Sequence, residues 1–237
     1  MSTRVRRPDA GDGVFILGLV GRAGSGKSTV ANALVADGAR LLEADRLGHE
    51  ITDGDPEVRA ALGAEYGPAI YLADGTLDRR RVAARVFTDA AARERLNQLV
   101  HPRIVARIRD AIVRLIAQGW QGVVVVDAAL MLDWHLERAC DSVLAVIASE
   151  TEQVERLMRA RGWSETEARA RLAAQRTNEE YARAADAVIE NHGTPEALAT
   201  AARTAVRGLR AARAGARAPG EAGSGTGSGA GPARAHP

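Results

Sequence analysis

Hydrophobic residues in this chain gather into five short runs, at residues 14–20, 39–43, 122–127, 142–148 and 187–189, separated by much longer amphipathic stretches. Each run is too brief for an ordinary helix, is rich in Val, Ile and Leu, and is bounded by Gly, Asp or Asn. Their apolar character is continuous rather than alternating. That predicts strands covered on both faces, as in a parallel sheet with helices above and below. The intervening stretches carry helix signals. Ser28-Thr29 opens a periodic segment through Asp37 that stops at Gly38, and Ser164-Glu165-Thr166-Glu167 forms a capping box ahead of a helix to about Thr177. Thr194-Pro195 supplies an N-cap and a first-turn proline for a last helix to about Arg210.

Residues 46–121 read as wholly helical, with turns near Asp53-Gly54-Asp55-Pro56 and Asp74-Gly75, and are far longer than a strand-to-strand crossover requires. The expected organisation is a core from residues 14–45, 122–149 and 185–210, a helical, substrate-facing insertion at 46–121, and a mobile helical pair at 150–184. Residues 1–13 and 211–237 hold few large apolar side chains and are expected to be disordered tails.

Composition narrows the class. With 237 residues, 46% of them apolar, the chain can fill a core without metal or disulfide staples. Cys140 is its one cysteine, which excludes an intrachain disulfide, and no paired Cys or His set suggests structural zinc. A reducing, cytoplasmic setting is expected. The early apolar run is far shorter than the ~20 residues of a membrane span and no signal-type cleavage site follows it, so no membrane partner is expected. Positive charge is concentrated at the end: from Arg203 onward six arginines face one acid, Glu221. The whole chain carries +2, so residues 1–202 carry −3. With a mildly acidic body and eight aromatic residues in all, no nucleic acid partner is expected.

Gly21-Arg22-Ala23-Gly24-Ser25-Gly26-Lys27-Ser28 matches the phosphate-binding pattern G-x-x-x-x-G-K-[ST], in the strand-to-helix context the motif demands. Its glycines let successive N–H groups converge on a polyphosphate at the positive end of a helix dipole. Lys27 adds a point charge for the β/γ-phosphates and the Ser28 hydroxyl can ligate Mg²⁺. Lys27 is also the only lysine in the chain, the other 31 basic residues being arginine. A compact ammonium fits a tight phosphate cradle where a planar guanidinium would crowd it. By itself the loop implies ATP or GTP binding and fits a GTPase, an ATPase motor or a small-molecule kinase.

Two acids stand at ends of predicted strands, where parallel α/β sheets bind ligands. Asp45 follows the second run and suits either a base toward an attacking hydroxyl, a Mg²⁺ shell or the N-cap of the next helix. Asp127 ends the run Val123-Val124-Val125-Val126, the form of a Walker-B strand whose acid holds a Mg²⁺-bound water, or else caps a turn.

With these in view, the blocks Glu43-Ala44-Asp45, Leu77-Asp78-Arg79, Val86-Phe87, Leu99-Val100-His101-Pro102, Glu155-Arg156-Leu157-Met158, Ala173-Ala174-Gln175 and Ala185 to Asn191 make the chain resemble dephospho-coenzyme A kinase over roughly residues 14–208. The resemblance implies a P-loop kinase: a three-layer α/β/α fold with a five-stranded parallel sheet, a helical substrate-binding insertion and a helical lid. It implies transfer of the ATP γ-phosphoryl to the ribose 3′-hydroxyl of dephospho-coenzyme A, the last step of coenzyme A synthesis, with ATP and Mg²⁺. It further implies Asp45 and Lys27 as catalytic residues. ATP would be bound by Gly21, Ala23, Gly24, Ser25, Gly26, Lys27, Ser28 and Thr29 with Arg156 and Asn191, and Mg²⁺ held by Ser28 and Asp127. The substrate would meet Asp45, Arg80 and His101. Arg159 and Arg161 are further lid candidates.

Several blocks differ from the family pattern: the loop opens Gly21-Arg22-Ala23-Gly24 instead of Gly-Gly-Ile-Gly, and the acidic turn begins with Glu43 instead of Asp. The lid arginine position reads Ala160, a basic position reads Asn178, and the segment after the third strand reads Ala129-Leu130-Met131-Leu132-Asp133. A kinase for another nucleoside, nucleotide or sugar is the alternative within enzymes, and a non-catalytic ATP-binding regulator the alternative outside them.

Overall fold

The computed structural model of the chain describes residues 13–217, so residues 1–12 and 218–237, which make up most of both expected tails, lie outside the described residues. Strands β1 (Val14–Val20), β2 (Arg40–Glu43), β3 (Gly122–Asp127), β4 (Ser142–Ile147) and β5 (Ala187–Glu190) form one parallel sheet in the order β2-β3-β1-β4-β5. Each lies on one of the five apolar runs, its bounds shifted by at most one residue.

All seven residues of the central strand β1 are buried. Its side chains alternate between two cores: Ile16 and Val20 join Val124, Val126 and Ala145 on one face, while Phe15, Leu17 and Leu19 join Val125, Leu144 and Val146 on the other. Helices α1 (Lys27–Ala36) and α9 (Pro195–Arg217) cover the second face through Val30, Leu34, Leu198 and Val206. The first face is covered by the insertion, helices α2 (Ala44–Gly54), α3 (Pro56–Tyr66), α4 (Arg79–Thr88) and α5 (Ala90–Ala117), which place Ile51, Leu62, Val82, Ile104 and Ile108 in the same cluster as the sheet. Asp55 and Asp89 divide these helices, each side chain accepting two N–H groups from the first turn of the helix it precedes.

Three expectations needed correction. The insertion is not wholly helical, because Tyr71 and Leu77 form an antiparallel bridge around the Gly75 turn. The segment 150–184 holds three helices, α6 (Glu150–Arg161), α7 (Glu165–Ala173) and α8 (Asn178–Ala184), instead of a pair. Thr177 and Glu180 form a further capping box, each accepting the other's N–H, and this starts α8 after α7 has ended at Ala173. Finally, α9 runs through Arg217, past the expected end near Arg210. Arg213 explains part of the extension: its Nη2 lies 2.6 Å from Oδ1 of Asp141, whose side chain is fully buried at the foot of β4 and accepts the Ile16 N–H at 2.8 Å.

Candidate active site

Parallel strands end at one edge, and the register shows which ends coincide. Asp127 pairs with Leu19 of β1 on one side and with Glu43 of β2 on the other. Two residues beyond Leu19 the Gly21–Ser28 loop begins, and two beyond Glu43 stands Asp45. Three chain segments thereby bring the predicted acids and the lone lysine to the carboxyl edge of the sheet.

Backbone geometry fixes the loop. Gly24 and Gly26 have φ of 74° and 108°, and a Cβ at Gly24 would lie 2.7 Å from the Gln153 carbonyl oxygen, one at Gly26 2.5 Å from the Asn191 amide nitrogen. Only glycine fits both. Lys27 Nζ reaches back across the loop to donate to the Gly21 carbonyl at 2.9 Å. The carbonyls are held from outside: Arg156 donates to Gly24 O at 3.1 Å and to Asn191 O at 3.0 Å, and the buried Asn191 amide donates to Ser25 O at 2.8 Å. In a trans peptide the N–H opposes the C=O, so the Asn191 bond turns the Gly26 N–H away from Asn191. Ser28 is exposed in the first turn of α1 and Thr29 half-buried behind it.

The carboxylates share one electrostatic field. Burial pushes the Asp127 carboxyl above its ordinary range; Lys27 pulls it down, while Asp45 and Glu43 push it up again. Among the described residues the Asp127 side chain makes no hydrogen bond to a following turn. Asp45 is exposed in the first turn of α2 and has no hydrogen-bond or ion-pair partner among the described residues, and the N-cap position is Glu43. The capping alternatives for both acids therefore fall away. Among the described residues no cluster of three or more His, Cys, Asp or Glu is arranged to hold a metal alone. A cation here needs phosphate oxygens and water to complete its shell, as Mg²⁺ does in nucleotide sites.

Beside the carboxylates lies a cavity of about 280 Å³. Gly48, His49 and Thr52 of α2 line it at three- and four-residue steps from Asp45, so one helix face leads from the acid into the cavity. His101 and Ile104 of α5 and Val82 of α4 form its other walls, with Trp134 from the segment after β3. The His101 ring stacks on Trp134, centroids 4.5 Å apart and planes 19° from parallel. Its Nε2 is buried without a hydrogen-bond partner, and burial lowers the pKa of the ring below the ordinary histidine value. Arg80 stands exposed on α4 and does not line the cavity; its neighbour Arg79 does, bound to Asp53 at 2.8 Å.

Other polar groups near the loop carry functions that sequence reasoning missed. Arg22, almost fully buried, donates to the Leu172 carbonyl at 2.7 Å, and Gln175 Oε1 accepts the Ala23 N–H at 2.8 Å. The end of α7 is thus tied to the phosphate loop, and the Ala23 N–H is already occupied. Asn178 donates to the Ala148 carbonyl at 2.7 Å and accepts from Gln153. The signal available in the sequence was a polar Gln175 following an Ala-rich helix, and an arginine at a loop position where the family carries glycine. Arg159 and Arg161 are exposed in the last turn of α6.

Sequence and structure comparisons agree with this geometry. The sequence model of the dephospho-CoA kinase family matches residues 15–196. The chain belongs to that family. A curated dephospho-CoA kinase of Anaeromyxobacter dehalogenans is 40% identical over 198 residues, covering 84% of this chain and 93% of the relative. One from Corynebacterium glutamicum is 38% identical over 182 residues, 77% and 93% of the two chains. Among solved structures, the protein TT1252 of Thermus thermophilus superposes with a TM-score of 0.71 at 31% identity, over 84% of this chain and 99% of that one. The Campylobacter jejuni dephospho-CoA kinase shares the fold, with a TM-score of 0.58 at 22% identity over 83% and 97%. As a dephospho-CoA kinase family member this chain is an ATP-dependent phosphotransferase, and the family match contains the phosphate loop, both acids, His101 and Asn191. No described helix is long and apolar enough to cross a membrane.

Proposed function

We propose that this enzyme transfers the γ-phosphoryl group of ATP to the ribose 3′-hydroxyl of dephospho-coenzyme A. One observation carries the reading: Asp45, a carboxylate unpaired among the described residues, stands between the phosphate loop and a largely apolar cavity, on the helix face that leads into it. The loop amides and Lys27 receive the triphosphate, and the Lys27 ammonium leaves Gly21 O for phosphate oxygens. The acceptor enters the cavity, where Trp134 and His101 offer an aromatic wall and Arg80 an exposed cation outside the lining. Asp45 accepts the hydroxyl proton as the new O–P bond forms and the bond to the departing ADP breaks. Burial of Asp127 beside two further carboxylates and a single ammonium favours a divalent cation, which Ser28 and Asp127 would hold. Mg²⁺ bound there neutralises charge on the phosphate oxygens.

Arg156 and Asn191 act on the nucleotide side by fixing loop carbonyls, and the segment 150–184 covers that side as a lid. The test is a transfer assay with purified full-length protein, ATP, Mg²⁺ and dephospho-coenzyme A. ADP and a product one phosphate heavier should appear with this acceptor and not with a panel of nucleoside monophosphates. Turnover of a monophosphate in preference to dephospho-coenzyme A would replace the acceptor, and ATP binding without any turnover would replace the catalytic reading.

A further inference from the structure

A second concave surface lies at the opposite end of the sheet from the phosphate loop, where β2 and β3 begin. A cavity of about 460 Å³ opens there between the end of α1 and the C-terminal half of α9, within the ~300–1,000 Å³ typical of small-molecule sites. Leu34 and Val206, both buried, give it an apolar floor. Arg203, Arg207 and Arg210 line it from α9, and their spacing puts all three guanidinium groups on one helix stripe.

Their charges are unevenly answered. Asp37, which ends α1, takes Arg203 through two bonds of 2.6 and 3.1 Å, so this arginine neutralises the negative end of α1. Arg207 donates only one 3.3 Å bond to the Thr204 hydroxyl, and Arg210 has no hydrogen-bond or ion-pair partner among the described residues. Two uncompensated guanidinium groups therefore stand over an apolar floor. Planar guanidinium groups match the oxygen geometry of phosphate better than any other side chain, and the floor suits the organic part of an ester. All three arginines lie beyond residue 196, where the family match ends.

We propose that this cavity binds a small organic phosphate or diphosphate at a site separate from the phosphate loop. The catalytic groups are distant: β3 runs from Gly122 at the cavity to Asp127, roughly 17 Å along the strand. This inference does not depend on the acceptor proposed above.

Inorganic pyrophosphate is the probe, titrated into full-length Lys27→Ala protein, in which the phosphate loop is weakened, and followed by amide NMR. Saturable shifts should gather at residues 37–39, 121–123 and 203–210. Arg207→Gln/Arg210→Gln in the same background should weaken that binding at least about tenfold, because two charge-assisted contacts are removed. Both side chains are exposed, so the circular dichroism spectrum should be unchanged; if the double variant loses it, the single variants carry the comparison, each weakening binding severalfold. Without the Lys27→Ala change, Arg207→Gln/Arg210→Gln protein should keep its basal phosphotransfer rate. Absence of local shifts at millimolar pyrophosphate, or equal binding by the arginine variants, would overturn the proposal and leave a solvated basic face.

Discussion

At the residue scale, chemistry rests on groups whose neighbours leave them available. Lys27 donates to a carbonyl that phosphate oxygens can replace, and Asp45 is spent on no cap, ion pair or turn. On the proposed reading, Lys27→Ala and Asp45→Asn should each lower kcat at least ~100-fold, since each would remove a charge acting on the transition state. Steady-state ADP release measures both, and a near-native rate for Asp45→Asn would remove it as the base. His101 gives a pH prediction. Its pKa is depressed by burial, so the folded state favours the neutral ring. Its contribution to stability is complete above the free imidazole value of about 6.5 and is lost as pH falls toward the lower folded value. His101→Phe keeps the stack on Trp134 and removes the titration. Melting temperatures measured from pH 7 down to pH 5.5 should fall less in this variant than in the native protein; equal slopes would show that the ring titrates normally.

At the element scale, short polar signals decide where helices stop and what they touch. The helix expected to run to about Thr177 ends at Ala173 and a capping box at Thr177 starts α8, and the turn between them places Gln175 where it accepts a phosphate-loop N–H. At the other end of the chain, α9 outruns its apolar periodicity because Arg213 reaches a buried carboxylate. Removing Arg213 takes a charged partner away from a buried carboxylate. Arg213→Ala, or truncation after Arg210, should cost roughly 2–4 kcal/mol in urea unfolding. Truncation after Arg217 keeps the pair and should cost less than either change, whereas equal midpoints for the two truncations would mean that the Arg213 pair contributes nothing.

At the scale of the whole molecule, insertion and sheet are not separate bodies joined by a hinge. Ile104 and Ile108 of α5 share a cluster with Ile16, Val124 and Val126 of the sheet, so cooperativity should extend across both. Ile108→Ala, at a nearly inaccessible site, should lower stability by about 2–4 kcal/mol. Its tryptophan fluorescence and far-ultraviolet dichroism should still fall in one coincident transition, and two separated transitions would show an insertion that unfolds alone. The sequence by itself determined the five strands, the phosphate loop and the acids at the strand ends. Those are local properties: an apolar run, a glycine spacing, a residue closing a strand. Tertiary structure alone decided that Arg156 and Asn191 hold loop carbonyls, that Arg79 rather than Arg80 lines the cavity beside α2, and that Arg207 and Arg210 face a hollow at the end of the sheet. Each depends on which way a long polar side chain turns between elements far apart in the chain. No periodicity encodes that direction, because it is set by the carbonyls and carboxylates that packing brings within reach.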